Sequence, residues 1–105
     1  MVKLILIYTI PASIDLHNIF LYISKDSLVN AKRFVRLLKN HVKSLKDFPE
    51  KGRLIAPDKF PALRQVLYKN YKIIYTFEAE KVTIHVITHQ SRLNSNIDAL
   101  KQFYI

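Results

Sequence analysis

The spacing of hydrophobic positions changes several times along the chain, and each change marks an element. Val2 to Tyr8 is rich in Leu, Ile and Val and carries one charge, Lys3, which predicts a first strand buried over most of its surface. Pro11 then opens a helix in which Leu16, Ile19, Phe20 and Ile23 fall at i, i+3, i+4 and i+7, an apolar stripe that stops at Ser24-Lys25-Asp26-Ser27. Asp26 or Ser27 caps a second helix, whose stripe runs through Ala31, Phe34, Val35, Leu38, Val42 and Leu45. Phe48-Pro49 ends it, because the residue before proline disfavours the helical region.

Pro49 to Pro61 holds the only glycine, Gly52, and three of the four prolines, with no sustained period, and reads as a loop. Three runs with strand character follow: Leu63 to Tyr68, Tyr71 to Phe77 and Val82 to Thr88. Their connectors, Lys69-Asn70 and Glu78 to Lys81, are short enough for antiparallel hairpins, with Asn70 the residue that tolerates a positive φ. Asn94 to Phe103 reads as a short helix with Ile97, Leu100 and Phe103 inward. The predicted order is β-α-α-β-β-β-α: an α+β fold with an antiparallel sheet packed against an N-terminal helical hairpin and a short C-terminal helix.

Length allows one core. The 105 residues bury roughly two thirds of their unfolded surface, and a second domain has no room. The first apolar run is about seven residues, far short of the roughly 20 that span a bilayer, and it continues into an amphipathic stretch without a convincing cleavage site. Seventeen Lys and Arg against eight Asp and Glu give a net charge of +9, which favours nucleic acid, an acidic protein or an anionic surface. The absence of cysteine excludes disulfides, thiolate catalysis and zinc ribbons, and suits a reducing cytoplasm.

Two groups of side chains carry candidate chemistry. On the second helix Lys32, Arg36, Lys39, Lys43 and Lys46 fall within an arc of about 80° at 100° per residue, with no acidic residue between Asn30 and Lys46. The stripe is either a solvated face or the surface an acidic partner would cover first. On the last strand, strict alternation puts His85 and His89 on one side with Thr83 and Ile87, and Val82, Ile84 and Val86 on the other. The two histidines are then roughly 13 Å apart and cannot share a metal. His89, Gln90 and Arg92 come at the strand's end, and Lys72 begins the neighbouring strand at the same edge. Lys72 and Arg92 could clamp a phosphodiester there while His89 transfers a proton, although no second base or carboxylate pair accompanies them.

Three segments resemble the RelE/ParE superfamily of type II toxins. Ala12, Asp15-Leu16, Ile19 and Tyr22-Ile23 are similar to the family's A-x-x-D-L-x-x-I-x-x-Y-I. Phe48-Pro49-Glu50-Lys51-Gly52-Arg53 resembles the F-P-x-x-G-R of many ParE-like members. Leu63-Arg64, Tyr71 to Tyr75 and Val86 to Arg92 resemble the core L-R, Y-R-[IL]-[IV]-Y and V-x-H-x-x-R. Each motif alone is weak, but their order and spacing cover nearly the whole chain.

The resemblance implies a growth-inhibiting toxin neutralised by a cognate antitoxin, with no cofactor and no membrane partner. The ParE-like branch implies DNA gyrase as the target, with Arg92, His89, Arg53 and Lys72 as target-binding residues. The RelE-like alternative implies a ribosome-dependent mRNA endonuclease with Lys72, His89, Arg92 and Arg64 as the catalytic set. That set departs from the family: Lys72 replaces an arginine and loses its fork, Leu63-Arg64-Gln65 stands where RelE has lysines, and Asp98 stands near the expected tail tyrosine. The glycine-arginine loop and the H-x-x-R ending resemble ParE more. In either branch Lys32, Arg36, Lys39 and Lys43 become the antitoxin-facing cations. A double-stranded RNA module, the remaining reading, begins with a helix rather than a strand and two helices.

Overall fold

A computed structural model describes residues 3 to 92, with Arg92 described in its backbone only. The chain runs through β1 (Ile5–Tyr8), α1 (Ile10–Ser24), α2 (Leu28–Lys43), a 3-10 turn (Ser44–Lys46), β2 (Arg53–Leu54), β3 (Leu63–Tyr68), β4 (Tyr71–Glu78), β5 (Lys81–His89) and a second 3-10 turn (Gln90–Arg92). The expected helix from Asn94 to Phe103 lies outside the described residues.

Both helices start where short polar side chains cap them. Thr9 Oγ1 accepts from the Ala12 N–H at 3.2 Å and Ser27 Oγ from that of Asn30 at 3.1 Å, so Ser27 rather than Asp26 opens α2. Helix α1 begins one residue before Pro11, which sits in the first turn where a missing N–H costs nothing.

The sheet order is β1-β5-β4-β3-β2. It is antiparallel throughout except at one edge, where β1 runs parallel to β5; the chain between them, both helices followed by β2 to β4, supplies the long connection such a pairing needs. The first strand is therefore not a buried one. Leu4, Leu6 and Tyr8 pack towards the helices, whereas Ile5 and Ile7 on the other face are 53% and 37% exposed. The stretch from Pro49 to Pro61 contains β2, a two-residue strand paired with β3 through Arg53↔Gln65 and Leu54↔Arg64.

Strand β5 departs from simple alternation. Ile74 pairs with Val86 but Tyr75 pairs with Ile84, which leaves His85 as the extra residue of a β-bulge. The bulge puts Val82, Ile84 and Ile87 together in the helix-side core with Leu16, Leu38 and Val42. Val86 turns to the opposite face, where Phe60, Leu63 and Ile74 form a second small cluster under the 55–60 loop. His85 and His89 thus lie on opposite faces, not on the same one: His85 is buried against Thr76, its Nε2 3.0 Å from Thr76 Oγ1, and His89 stands over Tyr71 on the helix side.

Turn chemistry also differs in detail. In the β3–β4 connector it is Lys69, not Asn70, that takes the positive φ of 52°, and the β4–β5 turn sets both Ala79 and Glu80 at positive φ, 52° and 63°.

Candidate functional site

The loop after α2 is held by one buried phenol. Tyr75 projects from β4 towards the helix side, accepts a hydrogen bond from the Gly52 N–H at 2.9 Å and donates one to the Pro49 carbonyl at 2.8 Å. A Cβ at Gly52 would stand 2.6 Å from both the Gln65 carbonyl oxygen and the Tyr75 hydroxyl, so only glycine fits this approach. Arg64, beside Tyr75 in the register, donates through Nη1 to the carbonyls of Gly52 at 2.7 Å and Glu50 at 3.3 Å. Arg64 is engaged in fixing the loop.

That anchoring places Arg53. Its neighbour across the β2–β3 pair is Gln65, and with the Gln65 amide oriented by its partners, its oxygen accepts from Arg53 Nε at 3.2 Å and Nη2 at 3.0 Å. Lys72 shares this face, the one turned away from the helices, since it alternates with Ile73 and Tyr75 of the helix-side core. It is 1% exposed, and burial together with the nearby Arg53 charge holds its ammonium below the usual lysine range.

His89 belongs elsewhere. It pairs with Tyr71 while Lys72 pairs with Thr88, so Lys72 and His89 occupy opposite faces and the common concave surface expected for them is not formed. The alternation of β4 forces this, because adjacent residues of a strand point to opposite sides. His89 Nδ1 lies 3.0 Å from Ser91 Oγ and accepts from the Ser91 N–H at 3.3 Å, which leaves the neutral ring's proton on Nε2.

Around His89 the sequence reasoning missed a cleft of about 580 Å³, lined among others by Asp15, Tyr22, Asn70, Tyr71 and Thr88. Strand β1 stops at Tyr8, so the β5 edge beyond it needs another partner. Asp15 Oδ2 provides it by accepting from the Ile87 N–H at 3.0 Å. Burial raises the Asp15 carboxyl above the ordinary aspartate range, partly offset by that hydrogen bond, and burial raises Tyr71 with a further push from Tyr22. The signal for this role was the D-L pair inside the helix-one motif.

The basic stripe of α2 forms as its spacing demands. Lys32, Arg36, Lys39 and Lys43 are exposed and Lys46 is half-buried, on a helix whose Ala31, Leu38 and Val42 face the core. Arg92 closes the last 3-10 turn, and its side chain lies outside the described residues. Among the described residues, no helix is long and apolar enough to cross a membrane.

Comparison with known proteins agrees with this architecture. A solved structure described as the chromosomal ParDE TA system from P. aeruginosa superposes with a TM-score of 0.69, covering 83% of this chain and 96% of that one at 20% identity, a likeness of fold. No curated protein sequence matches the chain. The family model for the ParE toxin of the type II toxin-antitoxin system parDE matches residues 6–94. With that match over most of its length, and with the glycine-arginine loop, the Y-K-I-I-Y strand and the H-x-x-R ending in their expected places, the chain belongs to the ParE toxin family of type II toxin-antitoxin systems.

Proposed function

We propose that this toxin arrests growth in the bacterial cytoplasm by poisoning DNA gyrase, and that a cognate antitoxin neutralises it in a hetero-oligomer. The observation that carries the choice of target is the placement of Lys72. A cation that is to stabilise the charge of a cleaved phosphodiester must reach it, whereas Lys72 is buried, sits on the face opposite His89 and is disfavoured as a charge. Arg64, a second cation of the RelE-like set, is bonded to the loop carbonyls. This arrangement supports target binding rather than a nuclease centre, with His89 at the end of β5 and Arg92 just beyond it in the chain as one contact point and Arg53, on β2 and the face turned away from the helices, as a separate one.

Inducible expression in a bacterial host, together with purified gyrase and purified ribosomes, tests this reading. Growth should stop, supercoiling should be inhibited, and ribosome-bound message should stay intact. Arg92→Ala should keep its melting temperature and lose roughly tenfold to a hundredfold in gyrase inhibition, the worth of a charge-assisted contact. Rapid cleavage of ribosome-bound message would instead establish the endonuclease, and healthy growth at high soluble expression would remove the toxin activity altogether.

A further inference from the structure

Strand β1 is an edge whose outer row is unpaired among the described residues. In the sheet order it has β5 on one side only. The Ile5 N–H donates to the Glu80 carbonyl and the Thr9 N–H to that of Ile84. In a parallel ladder of this register the backbone groups of Ile5, Ile7 and Thr9 face β5. Those of Leu4, Leu6 and Tyr8 therefore face outward. An edge of this kind, apolar and without proline or an inward charge, is a template for another strand.

The space beside that edge is chemically asymmetric. On the helix side a groove of about 580 Å³ runs between β1 and α2, lined among others by Leu6, Tyr8, Lys3, Lys39, Lys43 and Lys46, and none of its described lining residues is acidic. Its hydrophobic floor pushes the Tyr8 phenol up to about 12, so that side chain adds no negative charge. On the other side Ile5 and Ile7 present an exposed aliphatic row.

We propose that β1 accepts an extended acidic segment of the antitoxin as a sixth strand, and that the segment alternates acidic with apolar residues. This rests on the reading of the chain as an antitoxin-neutralised toxin for the source of the segment. Residues of the added strand opposite Leu4, Leu6 and Tyr8 point into the lysine groove and are acidic. Those opposite Ile5 and Ile7 extend the aliphatic row and are Val or Ile. The spacing agrees: alternate strand residues advance by about 6.6 Å, and lysines four apart on a helix, as Lys39 and Lys43 are, by about 6 Å. A second copy of this chain is disfavoured as occupant because β1-to-β1 pairing would bring two sets of the same four lysines together. Duplex DNA would meet the lysines but make no use of the outward N–H and C=O groups or of the Ile5–Ile7 row.

The test uses the full chain and synthetic peptides. A labelled peptide of alternating glutamate and valine is compared by fluorescence anisotropy with an isomer of identical composition in which all the glutamates precede all the valines, and with the alternating peptide N-methylated at every second residue. The alternating peptide should bind about tenfold or more tighter than either control, since each lost strand hydrogen bond or charge contact is worth a several-fold change. On binding, amide exchange should slow at Leu6 and Tyr8 and stay unchanged at Ile5 and Ile7. The variant Lys39→Glu/Lys43→Glu, altered only at exposed positions, should bind about tenfold or more weakly while keeping its melting temperature.

Equal binding of the block isomer, unchanged exchange at Leu6 and Tyr8, displacement of the peptide by duplex DNA alone, or a dimer paired through β1 at working concentration would each overturn the proposal. Peptide binding is independent of toxicity. A chain that arrests growth but ignores the peptide refutes this inference alone, and one that binds the peptide but leaves growth intact refutes the toxin reading instead.

Discussion

The Tyr75 hydroxyl and the Gly52 amide are joined by a buried hydrogen bond of 2.9 Å that ties the centre of the sheet to the loop carrying Arg53. Tyr75→Phe removes the acceptor and leaves the Gly52 N–H without a partner, at a cost of about 1–3 kcal/mol. Gly52→Ala should cost more, because its Cβ meets a backbone carbonyl as well as the phenol at 2.6 Å. Urea denaturation of both variants checks the order. Equal stability of Gly52→Ala and the parent would show that the loop moves away without loss.

Ala79 and Glu80 occupy a two-residue hairpin turn with both φ values positive, a geometry that asparagine and glycine adopt with less strain. The double substitution Ala79→Asn/Glu80→Gly should raise stability by about 1 kcal/mol. The urea midpoint should rise at constant m-value, with growth arrest unaffected. A lower midpoint would mean that the present side chains make contacts worth more than the strain.

His85 and His41 both have their imidazolium forms disfavoured, chiefly by burial. The charge of Lys51 adds to the effect at His41, while Glu78 opposes it at His85 and the Leu67 backbone opposes it at His41. Their folded pKa values lie below that of an unfolded histidine, so the unfolded chain binds protons more readily. Stability is therefore fully present above about pH 6.5 and declines as pH falls through and below that value. Urea midpoints at neutral and mildly acidic pH should show this decline, and the variant His41→Gln/His85→Gln should show much less of it.

Arg53 separates target binding from folding. Arg53→Ala removes the donor to Gln65 at a cost of about 1 kcal/mol, yet gyrase inhibition should fall by roughly tenfold or more if the guanidinium contacts the target. Lys32→Glu/Arg36→Glu, placed on α2 away from the β1 groove, should leave gyrase inhibition intact and change antitoxin association mainly through its salt-dependent on-rate. Supercoiling assays and stopped-flow binding distinguish the two outcomes. Undiminished inhibition by a folded Arg53→Ala would move the target surface off this loop.

The sequence by itself determined the helices, the hairpins and the family. Stripes at Leu16–Ile19–Phe20–Ile23 and Ala31–Leu38–Val42, and apolar runs broken by short connectors, are local patterns: a residue and its near neighbours along the chain decide whether one face can be buried. Tertiary structure decided what local period cannot carry. Whether β1 runs with or against β5 depends on partners more than seventy residues apart. The bulge at His85 depends on the register of β4 against β5, and it moves Val86 off the core face and separates His85 from His89. The opposite facing of Lys72 and His89 has the same origin, because strand pairing aligns Tyr71, not Lys72, with the histidine. Gly52 was visible as the only glycine of the chain, but the Tyr75 phenol that makes it necessary arrives from a strand that only the folded sheet brings within reach.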